Sequence, residues 1–210
     1  STPCGTLFPY TTLFRSRSVQ RACKQVGIET VITQDPDDVL KAERVIFPGV
    51  GAAASAMQTL VRTGLDQAFR EVVKKGVPSM GICIGAQIIL DRSEESDTIC
   101  LGLIPGETVR FKLTDPSLKI PHMGWNGVTV TQPHPLLEGI EPEDEFYFVH
   151  SYHPRPADDR HVYAVTDYEK PFCCALGKDN LFATQFHPEK SGRLGLEVLK
   201  RFAAWDGNPG

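Results

Sequence analysis

The sequence predicts an α/β fold, with an open, mainly parallel sheet flanked by helices and an added antiparallel meander. In the first half, short apolar runs alternate with amphipathic stretches, which is typical of parallel strands joined by helices. In the second half, period-2 runs separated by turn residues indicate antiparallel strands. The chain has 210 residues, of which 41% are hydrophobic and 23% charged, an ordinary composition for one globular domain.

The elements of the parallel core follow in order. Residues 17–27 (RSVQRACKQVG) predict a helix ended by Gly27, because glycine favours the left-handed cap conformation. ETVIT predicts a short strand, after which Asp35 and Pro36 favour the start of a helix. RVIF predicts a buried strand that runs into the turn PGVG. SAMQTLVRTGLDQAFREVVKKG predicts helix with a break near Gly64, VPSMGIC a strand, and IGAQIILDR a helix.

The second half changes to strand patterns. Six runs alternate polar and apolar residues: GETVRFK, NGVTVTQ, EFYFVHSY, HVYAVTDY, FCCALGK and LFATQFH. SGRLGLEVLKRFAAW returns to helix, with one apolar face. Residues 116–121 and 154–159 are predicted to be surface loops because of their prolines and polar residues. Four histidines belong to no recognisable pattern and are interpreted as surface or loop residues: His122, His134, His153 and His161.

Composition excludes several classes of function. The net charge is −4 and no basic stripe is present, so neither nucleic acid nor an anionic membrane is an expected partner. No apolar run reaches the roughly 18–20 residues of a membrane span. The six cysteines include no CxxC pair, which favours buried thiols in a reducing, cytoplasmic setting over disulfides or a zinc site.

The segment Gly81-Ile-Cys83-Ile-Gly85-Ala-Gln87 carries the first chemical signal. An apolar strand delivers Cys83 to a sharp turn, and a helix follows at once. Glycines on both flanks permit a strained turn of the nucleophile-elbow type. The helix N-terminus stabilises a thiolate, and a backbone N–H there can hold an oxyanion. For this pattern alone, a buried structural cysteine remains the alternative.

The segment Gln185-Phe-His187-Pro-Glu189 carries the second signal. His187 can act as a base toward a thiol, and Glu189 can orient its ring, as a cysteine hydrolase requires. Taken alone, this could be an ordinary loop. Together with the elbow it is far more specific, because both segments follow predicted strands, where open α/β sheets carry their sites. The turn PGVG after a third strand either presents backbone N–H groups to the same site or is a plain tight turn.

These residues together resemble the class I (triad) glutamine amidotransferases, whose hallmarks are a G-x-C-x-G-x-Q elbow and a distal H-P-E. The finer resemblance is to one subfamily, the glutaminase subunits of imidazole glycerol phosphate synthases. It is carried by PGVG, KIPHMGWNGV at 119–128, FYFVHSY at 146–152 and QFHPEKSGRLGL at 185–196, with RSVQ at 17–20. The resemblance covers residues 17 to 202 and implies the amidotransferase fold, with a flavodoxin-like core.

The resemblance implies roles for the matching residues. Cys83 would be the nucleophile, His187 the general base and Glu189 the residue that orients it. The backbone amides of Val50 and Ile84 would form the oxyanion hole, and in this subfamily the PGVG peptide turns into place when the partner engages. Ammonia from glutamine would pass to a (β/α)8-barrel cyclase subunit, which makes imidazole glycerol phosphate and aminoimidazole carboxamide ribotide in histidine biosynthesis.

The resemblance also implies the residues that bind substrate and partner. Glutamine would be held by Gly49, Gly51, Gln87, His150 and Ser151. The partner-facing rim would include Pro121, Met123, Trp125, Tyr147 and Lys190. Two alternatives stay open: an amidotransferase serving pyridoxal phosphate, anthranilate or GMP synthesis, and a binding subunit that has lost the chemistry. KIPHMGWN argues against the first, and the intact triad against the second.

The N-terminus departs from the family, which begins with an apolar strand and an Asp-Tyr-Gly turn. Residues 1–16, STPCGTLFPYTTLFRS, are predicted to contain no such strand. Back-translated, residues 6–16 resemble a widely used sequencing adapter. We therefore expect residues 1–16 to be a non-native segment, residues 17–205 to form the glutamine amidotransferase type-1 domain, and residues 206–210 to form a short tail.

Overall fold

A computed structural model of the protein describes residues 5–7, 13–49 and 51–210. None of the helices in this part of the chain is long and apolar enough to cross a membrane. The α-helices of the described residues are Leu13–Gln25 (α1), Pro36–Leu40 (α2), Ala53–Thr63 (α3), Leu65–Lys74 (α4), Ile84–Ile88 (α5) and Gly192–Ala204 (α6).

The strands fall into three sheets. Strands of the main sheet and its neighbours are Gly5–Leu7 (β1), Thr30–Ile32 (β2), Val45–Gly49 (β3), Ser79–Cys83 (β4), Arg92–Ser93 (β5), Thr98–Ile99 (β6), Gly106–Arg110 (β7), His122–Gly127 (β8), Thr129–Val130 (β9), Glu145–His150 (β10), Tyr152–Pro156 (β11), Val162–Tyr168 (β12), Lys170–Lys178 (β13) and Leu181–Thr184 (β14).

The main sheet has the strand order β2-β1-β3-β4-β14-β13-β12-β9. Strands β2, β1, β3, β4 and β14 run parallel, and β13, β12 and β9 continue the sheet in antiparallel fashion. Strand β4 lies between β3 and β14, with Gly49 opposite Cys83 and Thr184 opposite Ile82. The carboxyl ends of these three strands therefore meet at one edge, where the sequence places its candidate site.

Two smaller sheets cover that edge. Strands β10 and β8 form an antiparallel pair, and β11, β7, β5 and β6 form a four-stranded sheet. The predicted α/β fold with an added antiparallel region is thus confirmed, although the addition is divided among three sheets. Strands β5 and β6 and most of β8 are not among the elements predicted from the sequence.

Burial and helix ends in the structure agree with the local patterns in the sequence. Strands β3 and β4 are buried at every residue, as expected for parallel strands covered on both faces. The Asp35 side chain accepts a hydrogen bond from Asp37 N at the start of α2, which is the predicted N-cap. Gly64 adopts φ +74 between α3 and α4, so the predicted helix break is a left-handed glycine. Helix α1 packs against α6, and α4 packs against α2 and α3.

Residues 1–16 are expected to lack the family's apolar first strand, but the structure has a short strand at that place in the sheet. Gly5–Leu7 forms a three-residue strand, paired in parallel with Thr30–Ile32 on one side and with Val45 and Ile46 on the other. Backbone pairing with two parallel neighbours defines this strand despite its poor apolar pattern. Helix α1 also begins at Leu13, four residues before the predicted start.

Two other predictions need correction. Residues 154–159 are not all loop, since Pro154–Pro156 completes β11 opposite Gly106–Thr108. Because β11 pairs with β7 alone, proline is tolerated there. The run NGVTVTQ is divided, with its first two residues ending β8 and Thr129–Val130 forming β9. His122 and His134 are buried, at 3% and 5% exposure, and are not surface residues.

Candidate active site

Cys83 lies at a strained turn between β4 and α5. Its backbone adopts φ 58 and ψ −107, a conformation rare outside glycine, and its side chain is almost fully buried. The flanking glycines make the turn possible. A Cβ on Gly85 would lie 2.1 Å from the carbonyl oxygen of Phe47, and one on Gly81 would lie 2.9 Å from the backbone of Gly85. The elbow predicted from the G-x-C-x-G pattern is therefore required by close backbone packing.

His187 and Glu189 form a buried pair immediately after β14. Nδ1 of His187 lies 2.8 Å from Oε1 of Glu189, with 1% and 2% of the two side chains exposed. The neighbouring backbone is also held, since His187 N donates to Tyr147 O and Ser191 Oγ donates to His187 O. Nε2 of His187 and Oε2 of Glu189 are buried without a well-aligned hydrogen-bond partner among the described residues.

The electrostatic environment of His187 favours the imidazolium. Burial acts to lower the pKa of His187, but interaction with the Cys83 sulfur and then with the Glu189 carboxylate outweighs burial and raises it to about 10. The ring nitrogen that is free of Glu189 is thus suited to exchange a proton with the thiol. This is the arrangement of a nucleophile, a base and an orienting carboxylate.

A cavity of about 210 Å³ opens beside Cys83. Its volume suits a small polar molecule, and it is lined by Gly51, Cys83, Ile84, Gln87, Glu95, Val149, His150, Ser151 and Tyr152. Four of the five residues expected to hold substrate are among them. The fifth, Gly49, ends β3 directly opposite Cys83 in the sheet. Val50 lies outside the described residues.

The side chain of Gln87 is fixed between two acceptors. Its Nε2 donates to Tyr152 O at 2.9 Å and to Oε1 of Gln185 at 3.0 Å. The Gln185 amide in turn donates from Nε2 to the Cys83 sulfur at 3.8 Å. Oε1 of Gln87 is buried and has no hydrogen-bond partner among the described residues, although the side chain lines the cavity. A ligand that supplies a donor would satisfy it.

Glu95 and Gln185 are site residues that the sequence analysis missed. Glu95 brings a carboxylate to the cavity and accepts a hydrogen bond from Ala53 N at 2.7 Å through Oε2. Its segment has no local pattern that indicates function. Gln185 immediately precedes the F-H-P-E run, and only its pairing with Gln87, 98 residues away in sequence, reveals its position beside the sulfur.

Comparison with known proteins assigns the chain to a family. The model of the family "Glutamine amidotransferase class-I" matches residues 10–204. The chain belongs to this family. Its class-I amidotransferase fold is shared with solved structures of low sequence identity, among them PurLQS from Thermotoga maritima, at 20% identity and a TM-score of 0.73, which covers 96% of this chain and 98% of that one. A further glutamine amidotransferase from Thermotoga maritima matches at 15% identity and a TM-score of 0.65, covering 92% and 80%.

Among class-I amidotransferases, the curated relatives with high identity share one name. The imidazole glycerol phosphate synthase subunit HisH of Chromobacterium violaceum is 49% identical over 192 residues, which are 90% of each chain. The protein of the same name from Nitratidesulfovibrio vulgaris strain DP4 is 52% identical over 190 residues, covering 88% of this chain and 89% of the relative. That from Neisseria meningitidis is 47% identical over 196 residues, covering 90% and 92%.

The residues predicted at the partner-facing rim of this amidotransferase lie close together. Met123 and Trp125 lie two residues apart on the same face of β8 and are 62% and 53% exposed. The Trp125 ring meets the edge of Tyr147 at 6.1 Å, and Lys190 Nζ lies 5.3 Å from the centre of the Tyr147 ring. Pro121, just before β8, is also exposed. These residues form a surface, which we call the β8 rim, near the site.

His150 lines the cavity, and its ring is hydrogen-bonded to neighbouring residues. Its two ring nitrogens are both engaged, Nδ1 with Tyr152 O at 2.8 Å and Nε2 with His122 Nδ1 at 3.1 Å. Ser151 is partly buried, and its carbonyl accepts a hydrogen bond from Phe111 N. Within the described residues, no group of three or more His, Cys, Asp or Glu side chains is placed to hold a metal ion.

Proposed function

We propose that this amidotransferase is the glutaminase subunit of an imidazole glycerol phosphate synthase. The observation that carries the proposal is the Cys83–His187–Glu189 arrangement, with Cys83 in the wall of a cavity of about 210 Å³. The pathway is supported by relatives of about half identity over nine-tenths of the chain that bear the synthase-subunit name. The same relatives argue against an amidotransferase of pyridoxal phosphate, anthranilate or GMP synthesis.

In the proposed reaction, Cys83 attacks the side-chain amide carbon of glutamine. A carbon–sulfur bond forms, and the carbonyl electrons move to oxygen, where the Ile84 backbone N–H faces the developing charge at the start of α5. The Val50 amide is proposed as the second donor on the family resemblance alone. The C–N bond then breaks, and His187 gives its proton to the leaving ammonia.

The second half of the reaction regenerates the thiol. His187 takes a proton from water, which attacks the γ-glutamyl thioester, and glutamate and the Cys83 sulfur separate. Glu189 holds the His187 ring through Nδ1 and stabilises the imidazolium in both halves. Oε1 of Gln87 and the Glu95 carboxylate are suited to the α-ammonium group of glutamine, because both are hydrogen-bond acceptors on residues that line the cavity.

Ammonia is proposed to pass to a (β/α)8-barrel cyclase subunit docked on the β8 rim. Exposed Met123 and Trp125 beside Tyr147 suit such a contact, because aromatic residues and methionine are enriched in protein interfaces. No metal or organic cofactor has a role in this mechanism. This chain, glutamine and water supply the reacting groups.

The test measures glutamate release from glutamine by the isolated chain and by its complex with the cyclase subunit. We expect a poor glutaminase alone and a rate about 10²–10³ higher with the cyclase and its ribonucleotide substrate, the value of one oxyanion donor moved into place. A chain that is fully active without the cyclase would contradict activation of the glutaminase site by the cyclase. Failure of the two subunits to form a complex, or a complex that does not use glutamine, would contradict the function.

A further inference from the structure

A continuous hydrogen-bonded path connects β8 to the glutamine cavity. Asn126 Nδ2 lies 3.2 Å from His122 Nε2, and His122 Nδ1 lies 3.1 Å from His150 Nε2. His150 Nδ1 lies 2.8 Å from Tyr152 O, the same carbonyl that accepts from Gln87 Nε2. The two buried histidines therefore link a strand of the β8 rim to the side chain that lines the cavity.

The direction of every hydrogen bond in this path is determined by its ends. Asn126 Nδ2 donates to the carbonyl of Asp167 at 2.9 Å, which fixes the orientation of the amide, and its second proton is directed at His122 Nε2. His122 Nε2 then accepts, so Nδ1 donates to His150. At the other end Tyr152 O can only accept, so His150 Nδ1 donates and its Nε2 accepts. Both ends require the same tautomers.

The path requires neutral rings, since each histidine donates once and accepts once. The surroundings favour that state: burial lowers the pKa of His122 to about 4 and that of His150 well below its usual value. Aromatic rings hold His122 in place, with Phe148 stacked at 5.0 Å and Tyr168 at 4.1 Å. The rings are thus held rigidly in the orientation that the hydrogen bonds need.

Strand β8 connects this path to the β8 rim. His122 and Asn126 face inward, while Met123 and Trp125 between them are exposed. Beyond Gln87 the path continues through Gln185, whose amide donates to the Cys83 sulfur. A displacement of β8 would therefore change the hydrogen bonds around the nucleophile as well as the cavity wall.

We propose that His122 is a positioning residue for glutamine binding. It holds His150 in the tautomer that binds the Tyr152 carbonyl, and that carbonyl holds Gln87. The inference rests on the proposed function, because Gln87 is taken to contact glutamine. The proposal also predicts that a partner bound at Met123 and Trp125 affects the cavity through His122 and Asn126, which lie on the opposite face of β8.

The test compares His122→Phe with His122→Asn in the complex with the cyclase subunit. Phenylalanine keeps the ring packing but cannot donate, whereas asparagine places an amide N–H near the position of Nδ1. We expect His122→Phe to raise KM for glutamine about 5- to 30-fold, as expected when a buried partner is left unpaired, with a smaller change in kcat. Asparagine should return KM to within about threefold of the wild type.

His134→Phe is the matched control. His134 is also a buried histidine, stacked on Phe182 at 4.2 Å, and its Nδ1 accepts from Leu136 N, so the substitution disturbs a comparable environment away from the cavity. We expect a lower Tm and an unchanged KM. If His122→Phe fails to fold, Asn126→Leu interrupts the path at its outer end, and a rise in KM is again expected.

The outcomes separate this inference from the proposed function. A wild-type complex without glutamine-dependent activity would overturn the function itself. An active wild type with an unchanged KM in folded His122→Phe, or in Asn126→Leu where His122→Phe does not fold, would overturn the positioning role alone. Equal shifts of KM in His122→Phe and His134→Phe would also overturn the positioning role. So would a folded His122→Asn variant whose KM equals that of His122→Phe.

Discussion

Two histidine environments lie beside the cavity at Cys83, and one favours a charged ring while the other favours neutral rings. His187 is paired with Glu189 and interacts with the Cys83 sulfur, and its pKa is raised to about 10. His122 and His150 are bonded to each other and to polar groups that require neutral rings, and burial lowers their pKa values. One environment suits proton transfer and the other suits positioning. Burial alone therefore does not determine what a histidine does.

The largest expected effect concerns the nucleophile of the charged environment. Cys83→Ala should lower glutamine-dependent synthesis by about 10⁶-fold, as loss of a covalent nucleophile does in hydrolases. Synthesis from added ammonium salt in the same complex should be spared, because the cyclase site is separate. The measurement is product formation from each nitrogen source, and glutamine-dependent turnover above a few per cent of the wild type would refute the triad assignment.

Glu189→Gln removes the charge that orients His187 but keeps a similar shape. We expect kcat for glutamine to fall by about 10²–10⁴, because the ring loses the partner that selects its tautomer and stabilises the imidazolium. Glutamate release in the complex measures the effect. Glu143→Gln, an exposed residue, is the control and should behave as the wild type. Equal activity of the two variants would show that Glu189 has no part in the charged environment.

A longer first strand should stabilise the parallel core and leave the added sheets unchanged. Strand β1 pairs over three residues, while β3 beside it has five. Replacing residues 1–16 by an apolar strand and an Asp-Tyr-Gly turn should raise Tm by about 2–12 °C, if one buried backbone group worth roughly 1–3 kcal/mol gains a partner. Equal midpoints and equal activity in the complex would show that the segment as written is sound.

Trp125→Ala tests the β8 rim, on the opposite face of the strand that carries His122 and Asn126. Truncation of an exposed aromatic anchor should weaken binding of the cyclase subunit by about 10- to 100-fold, measured by titration calorimetry. Val61→Ala is the matched control, since Val61 is also an exposed apolar residue, at 61%, but lies on α3. If both variants bind the cyclase as tightly as the wild type, the β8 rim is not the docking surface.

The smallest effect is a difference in pH dependence. Because the folded pKa of His122 lies near 4, the unfolded chain takes up a proton below about pH 6.5 before the folded chain does, and stability is lost as pH falls through this range. His122→Asn should therefore lose less stability than the wild type between pH 6.5 and 4.5 in urea titrations. His187 has the opposite sign, and its contribution is lost as pH rises toward 10. Identical acid sensitivity in wild type and His122→Asn would contradict the neutral assignment.

The two environments also differ in how far the sequence predicts them. Cys83, His187 and Glu189 stand in short runs with a local signature, and parallel strand ends bring those runs together. His122 was interpreted as a surface residue because nothing near it in sequence indicates burial. Its partner His150 lies 28 residues away, and the pairing of β8 with β10 places the two directly opposite each other. Hydrogen-bond partners set by sheet register are not visible in a local pattern.

The same physical reason explains the fold. Helices and buried parallel strands were predictable, because their apolar periods and caps are local. The sequence does not predict β1, β5 and β6, which have only two or three residues each, or most of β8, whose pairing with β10 joins segments about 20 residues apart along the chain. Proline in β11 was interpreted as loop, although this strand pairs through β7 alone. Elements that depend on tertiary pairing need the structure.

Covalent labelling tests the central claim, that Cys83 is the nucleophile of a glutaminase. The complex is treated with the diazoketone analogue of glutamine, which alkylates an attacking thiolate with loss of nitrogen, and the labelled peptide is identified by mass spectrometry. We predict one label, on Cys83, that appears with loss of glutaminase activity and is prevented by excess glutamine. A label on Cys23, Cys100, Cys173 or Cys174, or inactivation without any label on Cys83, would contradict the account.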